Sequence, residues 1–211
     1  MTTNVLVVDD EEIICTLFAA MLGHYGCYHV MTMTDSRQVM DFLRREPCDV
    51  MLLDMSMPAI SGLDVLRQVT QAFEELPVII VTGHGSIPMC AQVMKAGAAD
   101  FLPKPFKPRE LLQCVERALS RSTQQRYRAA EKNDARKLLD LLTPREFEVM
   151  QLVTTGLLNK QIGAELGIAE KTVKVHRGRV MQKLGVPSVA ELMKVVQRAG
   201  VASSGNGGVN G

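Results

Sequence analysis

The chain has 211 residues, 46% apolar and 22% charged, with a formal net charge of +1. That length suits one large or two ordinary domains, and the composition describes a globular chain rather than a disordered one. No apolar run approaches the roughly 20 residues of a membrane span, and the N-terminus enters an apolar run without a basic region or cleavage site, so neither membrane insertion nor a signal peptide is expected. Five widely spaced cysteines (Cys15, Cys27, Cys48, Cys90, Cys114) form no CxxC pair. They suggest reduced core thiols in a cytoplasmic protein rather than a metal or disulfide framework. The near-neutral total hides an asymmetry: residues 1–115 carry eight Lys and Arg against fourteen Asp and Glu, residues 116–137 seven against three, and residues 138–199 nine against six. An acidic first half and a basic second half suit a cation and a polyanion respectively.

In chain order, residues 5–8 form a short β-branched run ending in Asp9 and Asp10, and residues 13–22 predict an amphipathic helix stopped by Gly23. A strand over 30–34 and a helix over 36–45 follow. Residues 50–53 are uninterruptedly apolar and end on Asp54, which predicts a strand buried on both faces. A helix over 63–73, a strand over 77–81 ending in Thr82, a helix over 88–96 and a short strand over 100–102 running into Lys104 complete this half. Strands alternating with helices predict βαβ units and a parallel sheet.

A parallel sheet brings the carboxyl ends of its strands to one edge, where open α/β folds place their ligands. Asp9, Asp10, Asp54, Thr82 and Lys104 would therefore meet. An Asp that merely caps the turn after its strand is the plainer alternative for Asp54 taken alone. Three carboxylates at one edge need a cation, and hard oxygen ligands suit Mg²⁺, which accepts phosphate oxygens beside retained water. Asp54 is then the candidate phosphoryl acceptor, since phosphoryl transfer asks mainly for positioning and charge neutralisation.

The acid pair after the first strand, Asp54 with Pro58 four residues on, Thr82-Gly83 and Lys104-Pro105 strongly resemble the receiver domain of two-component response regulators, over residues 5 to about 119. The resemblance implies a flavodoxin-like, doubly wound, five-stranded parallel sheet. It implies Asp54 as phosphoacceptor, with Mg²⁺ held by Asp10 directly, by Asp9 through water, by Asp54 and by the backbone carbonyl of Ser56. Thr82 and Lys104 would hold the phosphoryl oxygens. Phe101 would be the switch aromatic, the alternative being a core residue of a short strand. The side chains of Ser56 and His84 would tune acyl-phosphate lifetime, an exposed loop histidine being the alternative for His84.

Residues 109–142 contain neither Pro nor Gly. After an apolar stripe ending at Leu119, residues 121–137 are polar and rich in helix formers. They suit either a disordered linker or a solvent-bridging helix, and the absence of Gly and Pro favours the helix.

The second half begins with Thr143-Pro144-Arg145-Glu146, which predicts a helix start: Thr143 as N-cap, Pro144 at N1 and Glu146 completing a capping box. A helix over 159–166 capped by Asn159, the turn Gly167-Ile168-Ala169 and a helix over 170–184 carry the helix-turn-helix signature. Residues 188–199 predict a last helix, and residues 200–211 a disordered tail. The third of these helices carries Lys171, Lys174, Arg177, Arg179 and Lys183. A cationic helix suits the major groove, an ordinary solvated basic face being the alternative.

Residues 142–146, Asn159-Lys160-Gln161-Ile162 and residues 171–177 resemble the four-helix, all-α LuxR-type DNA-binding domain over 138–199, so the whole chain is similar to FixJ/NarL-type response regulators. By that resemblance Lys174 and Val175 would face bases, while Lys160, Thr172, His176 and Arg177 would contact backbone; Lys171 joins them on the basic face. Three departures stand out: Leu158 and Ala169 replace capping Ser or Thr, and Gly178 replaces a longer side chain at about 1 kcal/mol in helix propensity.

The resemblance implies a transcription factor phosphorylated on Asp54 by a sensor histidine kinase. It would then dimerise on double-stranded DNA, with RNA polymerase a further partner, and the chain would not be an enzyme. Two rivals are weaker. An aspartyl-phosphate phosphohydrolase needs a second acid where Ser56 stands. A constitutive DNA binder with an inactive receiver does not need Asp9, Asp10, Asp54, Thr82 and Lys104 together.

Overall fold

The computed structural model describes residues 2–83 and 87–201. Residues up to Arg126 form one compact unit and those from Tyr127 another. The first unit contains β1 (Thr3–Val8), α1 (Glu12–Gly23), β2 (Tyr28–Met33), α2 (Val39–Arg45), β3 (Val50–Asp54), α3 (Gly62–Ala72), β4 (Val78–Thr82), α4 (Ile87–Lys95) and β5 (Asp100–Pro103). All strand pairs are parallel, in the order β2-β1-β3-β4-β5.

Strand residues alternate between two cores, as a period of two dictates. Leu6, Val8, Met51, Leu53, Val78 and Ile80 face α2, α3 and α4. Val5, Val7, Val50, Leu52, Ile79 and Val81 face α1 and α5 (Pro108–Leu139). Both faces of β3 and β4 are covered, which is why those segments are unbroken apolar runs.

Three details depart from the sequence-based expectation. β2 starts two residues early, at Tyr28, so that the whole of β1 finds parallel partners from Thr3 opposite Tyr28 onward. The helix expected over 36–45 is split, because the Asp35 carboxylate accepts the Arg37 N–H at 3.0 Å and sets a 3₁₀ turn, Ser36–Gln38, ahead of α2. Cys15 and Cys114 are core thiols as expected, whereas Cys27 is exposed.

α5 is a single 32-residue helix that includes the expected linker, residues 121–137. Beyond the apolar stripe it is fastened to the loop before β4. Ser122 Oγ donates to the Glu75 carbonyl at 2.9 Å, and Arg126 reaches the same carbonyl at 3.2 Å and the Glu75 carboxylate at 3.2 Å.

The second unit contains α6 (Pro144–Thr154), α7 (Asn159–Leu166), α8 (Glu170–Lys183) and α9 (Val189–Ala199). Its core gathers Val149, Met150, Ile162, Val173, Val180 and Leu192, closed by Ala135 and Leu139 of α5. The capping box is present: Thr143 Oγ1 accepts the Glu146 N–H at 3.3 Å, and Glu146 returns a carboxylate to the Thr143 N–H at 2.9 Å. The same carboxylate, buried at 3% exposure, takes Lys183 Nζ at 2.6 Å. At α7 the N-cap is Leu158, and Asn159 falls one position inside the helix. Leu158 supplies no side-chain cap, so Gln161 Oε1 accepts its N–H at 2.8 Å instead. Gly200 caps α9 in the left-handed region and Val201 packs on the core, so both belong to the fold; the rest of the expected tail lies outside the described residues.

The Lys183 ammonium, and after it the Thr143 N–H, hold the Glu146 carboxyl down at about 2 against an ordinary value of 4.5. A depressed folded-state value stabilises above the unfolded value, and that stabilisation drains away as pH falls from 4.5 toward 2. The unfolding midpoint of the helical unit should therefore fall across this acid range in wild type, and fall less steeply in Glu146→Gln. Calorimetry of both chains across the range checks it, and parallel acid profiles would count against the capping network.

Candidate functional site

The strand register assembles the site. Val8 pairs with Leu53, so the next residues, Asp9 and Asp54, emerge side by side. Asp54 pairs with Val81, which brings Thr82 one step beyond, and Thr82 pairs with Pro103, so Lys104 follows at the same edge. The Lys104 N–H donates to the Thr82 carbonyl at 2.7 Å and ties the two strand ends together.

Asp9, Asp54 and Thr82 are buried, at 2%, 7% and 1% exposure. Lys104 Nζ lies 2.8 Å from Asp9 Oδ2 and 2.8 Å from Asp54 Oδ1. Burial works against the Lys104 charge, but the hydrogen bonds it donates to Asp54 and Asp9 outweigh it and hold its pKa above the ordinary lysine value. The second oxygen of each carboxylate accepts a backbone N–H: Asp9 from Glu11 at 3.0 Å, Asp54 from Ser56 at 2.6 Å. Asp10 is exposed beside them. Phe101 sits opposite Ile80 and packs half-buried against the α2–α4 side of the core. His84 lies outside the described residues.

Among the described residues, no three His, Cys, Asp or Glu side chains are drawn together as a metal cluster. Lys104 bridges Asp9 and Asp54, and the ligand set the resemblance implies includes a backbone carbonyl, that of Ser56. The donor chemistry fits Mg²⁺ all the same. Every candidate ligand is a hard oxygen, and the three carboxylates outnumber the one ammonium that bonds two of them.

Gly62 is a position supporting the site that sequence reasoning missed. Its N–H donates to the Met55 carbonyl at 3.2 Å. A Cβ there would overlap the Asp54 carbonyl oxygen and lie 2.7 Å from Met55 Cα. The helix start thus presses directly on the backbone that carries Asp54. The one local hint was Ser61-Gly62 opening a helix, with Ser61 as N-cap.

The second candidate surface is α8. Val173 and Val180 point inward, while Lys171, Thr172, Lys174, Val175, Gly178 and Arg179 are exposed. Lys160, in the first turn of α7, is exposed as well. Arg177 and His176 are half-buried. Arg177 Nη1 donates to Asn159 Oδ1 at 3.2 Å, which joins α8 to the start of α7. His176 Nδ1 is buried with no hydrogen-bond partner among the described residues. The turn between α7 and α8 is tight: Gly167 adopts a left-handed conformation, and a Cβ on Gly163 would lie 2.7 Å from the Ile168 carbonyl oxygen.

Residues 5–116 match the response regulator receiver domain family, and residues 140–196 match the bacterial regulatory proteins of the luxR family. The chain belongs to the response regulators. It is a two-component response regulator with a receiver and a LuxR-type DNA-binding domain. It is 37% identical to the response regulator protein TodT of Pseudomonas putida F1, over 92% of this chain and 85% of TodT. It is 34% identical to the transcriptional regulatory protein FixJ of Rhizobium meliloti, over 95% and 98%. Among solved structures it resembles the response regulator StyR (TM-score 0.73, 39% identity, 94% of this chain and 100% of that one) and full-length FixJ from B. japonicum (TM-score 0.59, 30%, 96% and 100%).

Within the receiver, Gly62→Ala should destabilise by about 1–3 kcal/mol, the usual cost of overpacking, and displace the Asp54 carboxylate. Urea unfolding should register the first effect. A slower initial rate of labelling by acetyl phosphate should register the second, at a temperature where the variant is fully folded. Wild-type stability in the variant would mean that the backbone yields there without cost.

Proposed function

We propose that this response regulator is a phosphorylation-switched transcription regulator. In this reading Asp54 takes a phosphoryl group from the phosphohistidine of a sensor histidine kinase, and the phosphorylated receiver dimerises. The single observation that carries it is the Asp9–Lys104–Asp54 triad at the carboxyl edge of the sheet. An Asp54 oxygen attacks phosphorus, a P–O bond forms, the P–N bond breaks and the imidazole leaves. Lys104 already lies within bonding distance of the attacking carboxylate and can follow the negative charge onto the phosphoryl oxygens. The buried Thr82 stands at the next strand end, where its hydroxyl can meet another of those oxygens. Asp9, Asp10, Asp54 and the Ser56 carbonyl would hold Mg²⁺, which supplies positive charge to the transferring group when bound.

Phe101 and Lys104 lie three residues apart on one strand and its extension, so Lys104 following the phosphoryl group would pull on the segment that carries Phe101. The output is binding to double-stranded DNA rather than catalysis. Lys174 and Val175 face bases, and Lys160, Lys171, Thr172, His176 and Arg177 serve the backbone. Promoter engagement brings RNA polymerase within reach as a further partner. Among the described residues no helix is long and apolar enough to cross a membrane, which agrees with a cytoplasmic site of action.

Incubation with acetyl phosphate and Mg²⁺, followed by peptide mapping, should label Asp54 alone. Chelation of the metal should slow labelling, and Asp54→Asn should abolish it. Label on any other residue of the wild-type chain would sink this reading.

Salt titrations separate the roles on α8. Lys174→Ala should lose roughly 1–3 kcal/mol of discrimination between a preferred and a random duplex. Arg177→Ala should weaken both and flatten the slope of log K against log salt by about one. Because Arg177 also holds Asn159, its variant should lower the unfolding midpoint slightly as well. Identical titrations for the two variants would mean that α8 is only an electrostatic grip.

A further inference from the structure

Gly178 occupies the middle of α8, where glycine is the poorest helix former short of proline. Nothing among the described residues of the LuxR-type unit requires it. Its backbone is not left-handed, and a Cβ built on it meets no atom of the described residues within 4 Å. Gly62 and Gly163, by contrast, each face a backbone that a methyl group would strike. A bare backbone at 178 thus leaves the outer face of α8 open to whatever the helix touches.

At about 100° per residue, Lys171, Val175, Gly178 and Gln182 form the outermost line of α8, opposite Val173 and Val180. Lys174 flanks that line one turn before Gly178. Val175 is 48% exposed, so a hydrophobic side chain faces outward in the centre of a basic helix. The middle of the line is thus apolar and shallow, with lysines beside and before it. Base edges in the major groove offer hydrogen-bonding groups and one kind of apolar group, the 5-methyl of thymine.

We propose that Val175 and Gly178 form an apolar notch that seats a thymine methyl of the bound duplex, so that one base pair of each half-site is read by shape. This rests on the DNA-binding reading above and adds a position of specificity to it. The glycine lets the helix backbone approach the base by the width of a side chain, and the Val175 methyls close one wall of the notch. Lys171 and Lys174 fix the depth of entry through their own contacts with the duplex.

The test uses the full-length chain phosphorylated with acetyl phosphate. Duplexes are enriched on it from a random-sequence library, and each thymine of the enriched site is then replaced singly by deoxyuridine, which removes only the methyl. One position per half-site should lose roughly fourfold in affinity, the worth of one buried carbon, and the others should change little. Gly178→Ala should raise the unfolding midpoint by several degrees, because the new methyl meets nothing and the helix gains propensity. The same variant should bind the enriched duplex roughly tenfold more weakly, bind an unrelated duplex as wild type does, and no longer sense the deoxyuridine. A more stable variant that still binds the enriched duplex at full strength overturns the notch, as does a flat deoxyuridine scan. A wild-type chain that enriches no duplex overturns the DNA-binding reading itself, and the notch with it.

Discussion

One ammonium between two buried carboxylates is the constraint on which the receiver depends. Asp9 and Asp54 stand side by side at 2% and 7% exposure, and burying like charges together without a partner is costly. Lys104 makes the arrangement possible, and it arrives from a different strand nearly a hundred residues after Asp9. The sheet exists to hold that distance. Its register aligns Val8 with Leu53 and Thr82 with Pro103. Helices cover both faces, so that β1, β3 and β4 cannot slide past one another without exposing apolar side chains. One ammonium against three nearby acids still leaves the edge electronegative, which is the electrostatic condition for recruiting a divalent cation.

Most of this was legible in the chain itself. β3 and β4 are unbroken apolar runs because both faces are covered, and their ends are polar because the sheet edge is where burial stops. Asp54, Thr82 and Lys104 could therefore be placed from pattern alone. The start of β2 could not, because a half-buried edge strand has a weaker pattern and its limits are set by its partner. Asn159 was misplaced for a related reason. Asn is a good cap in isolation, but here its side-chain oxygen is engaged by Arg177, a contact eighteen residues away that no local rule contains. Gly62 was missed because the need for a missing side chain becomes visible only once another backbone is seen to press on it.

The LuxR-type unit solves a different problem. Its core is small, and polar bonds at the rim supplement it. The Glu146 carboxylate serves a helix cap and Lys183 together, and Arg145 reaches the Leu166 carbonyl at 2.6 Å across to the end of α7. These bonds use side chains on the inward and lateral sides of the helices. Lys171, Lys174 and Val175 stay exposed on the outer side of α8, where a partner has access to them. Scaffold and contact surface are thus assigned to different faces of the same short helices.

The loop between Asp54 and α3 is closed at both ends. Ser56 gives its N–H to the Asp54 carboxylate, Ile60 gives its own to Ser36 Oγ, and Gly62 reaches back to the Met55 carbonyl. Such a loop has a fixed length but not a fixed composition. Over evolutionary time the exposed Ala59 can drift, whereas inserting or deleting one residue would unlatch the helix from the strand and carry the acidic side chain away from its lysine. Divergence among descendants of this chain should accumulate there as substitutions and not as gaps.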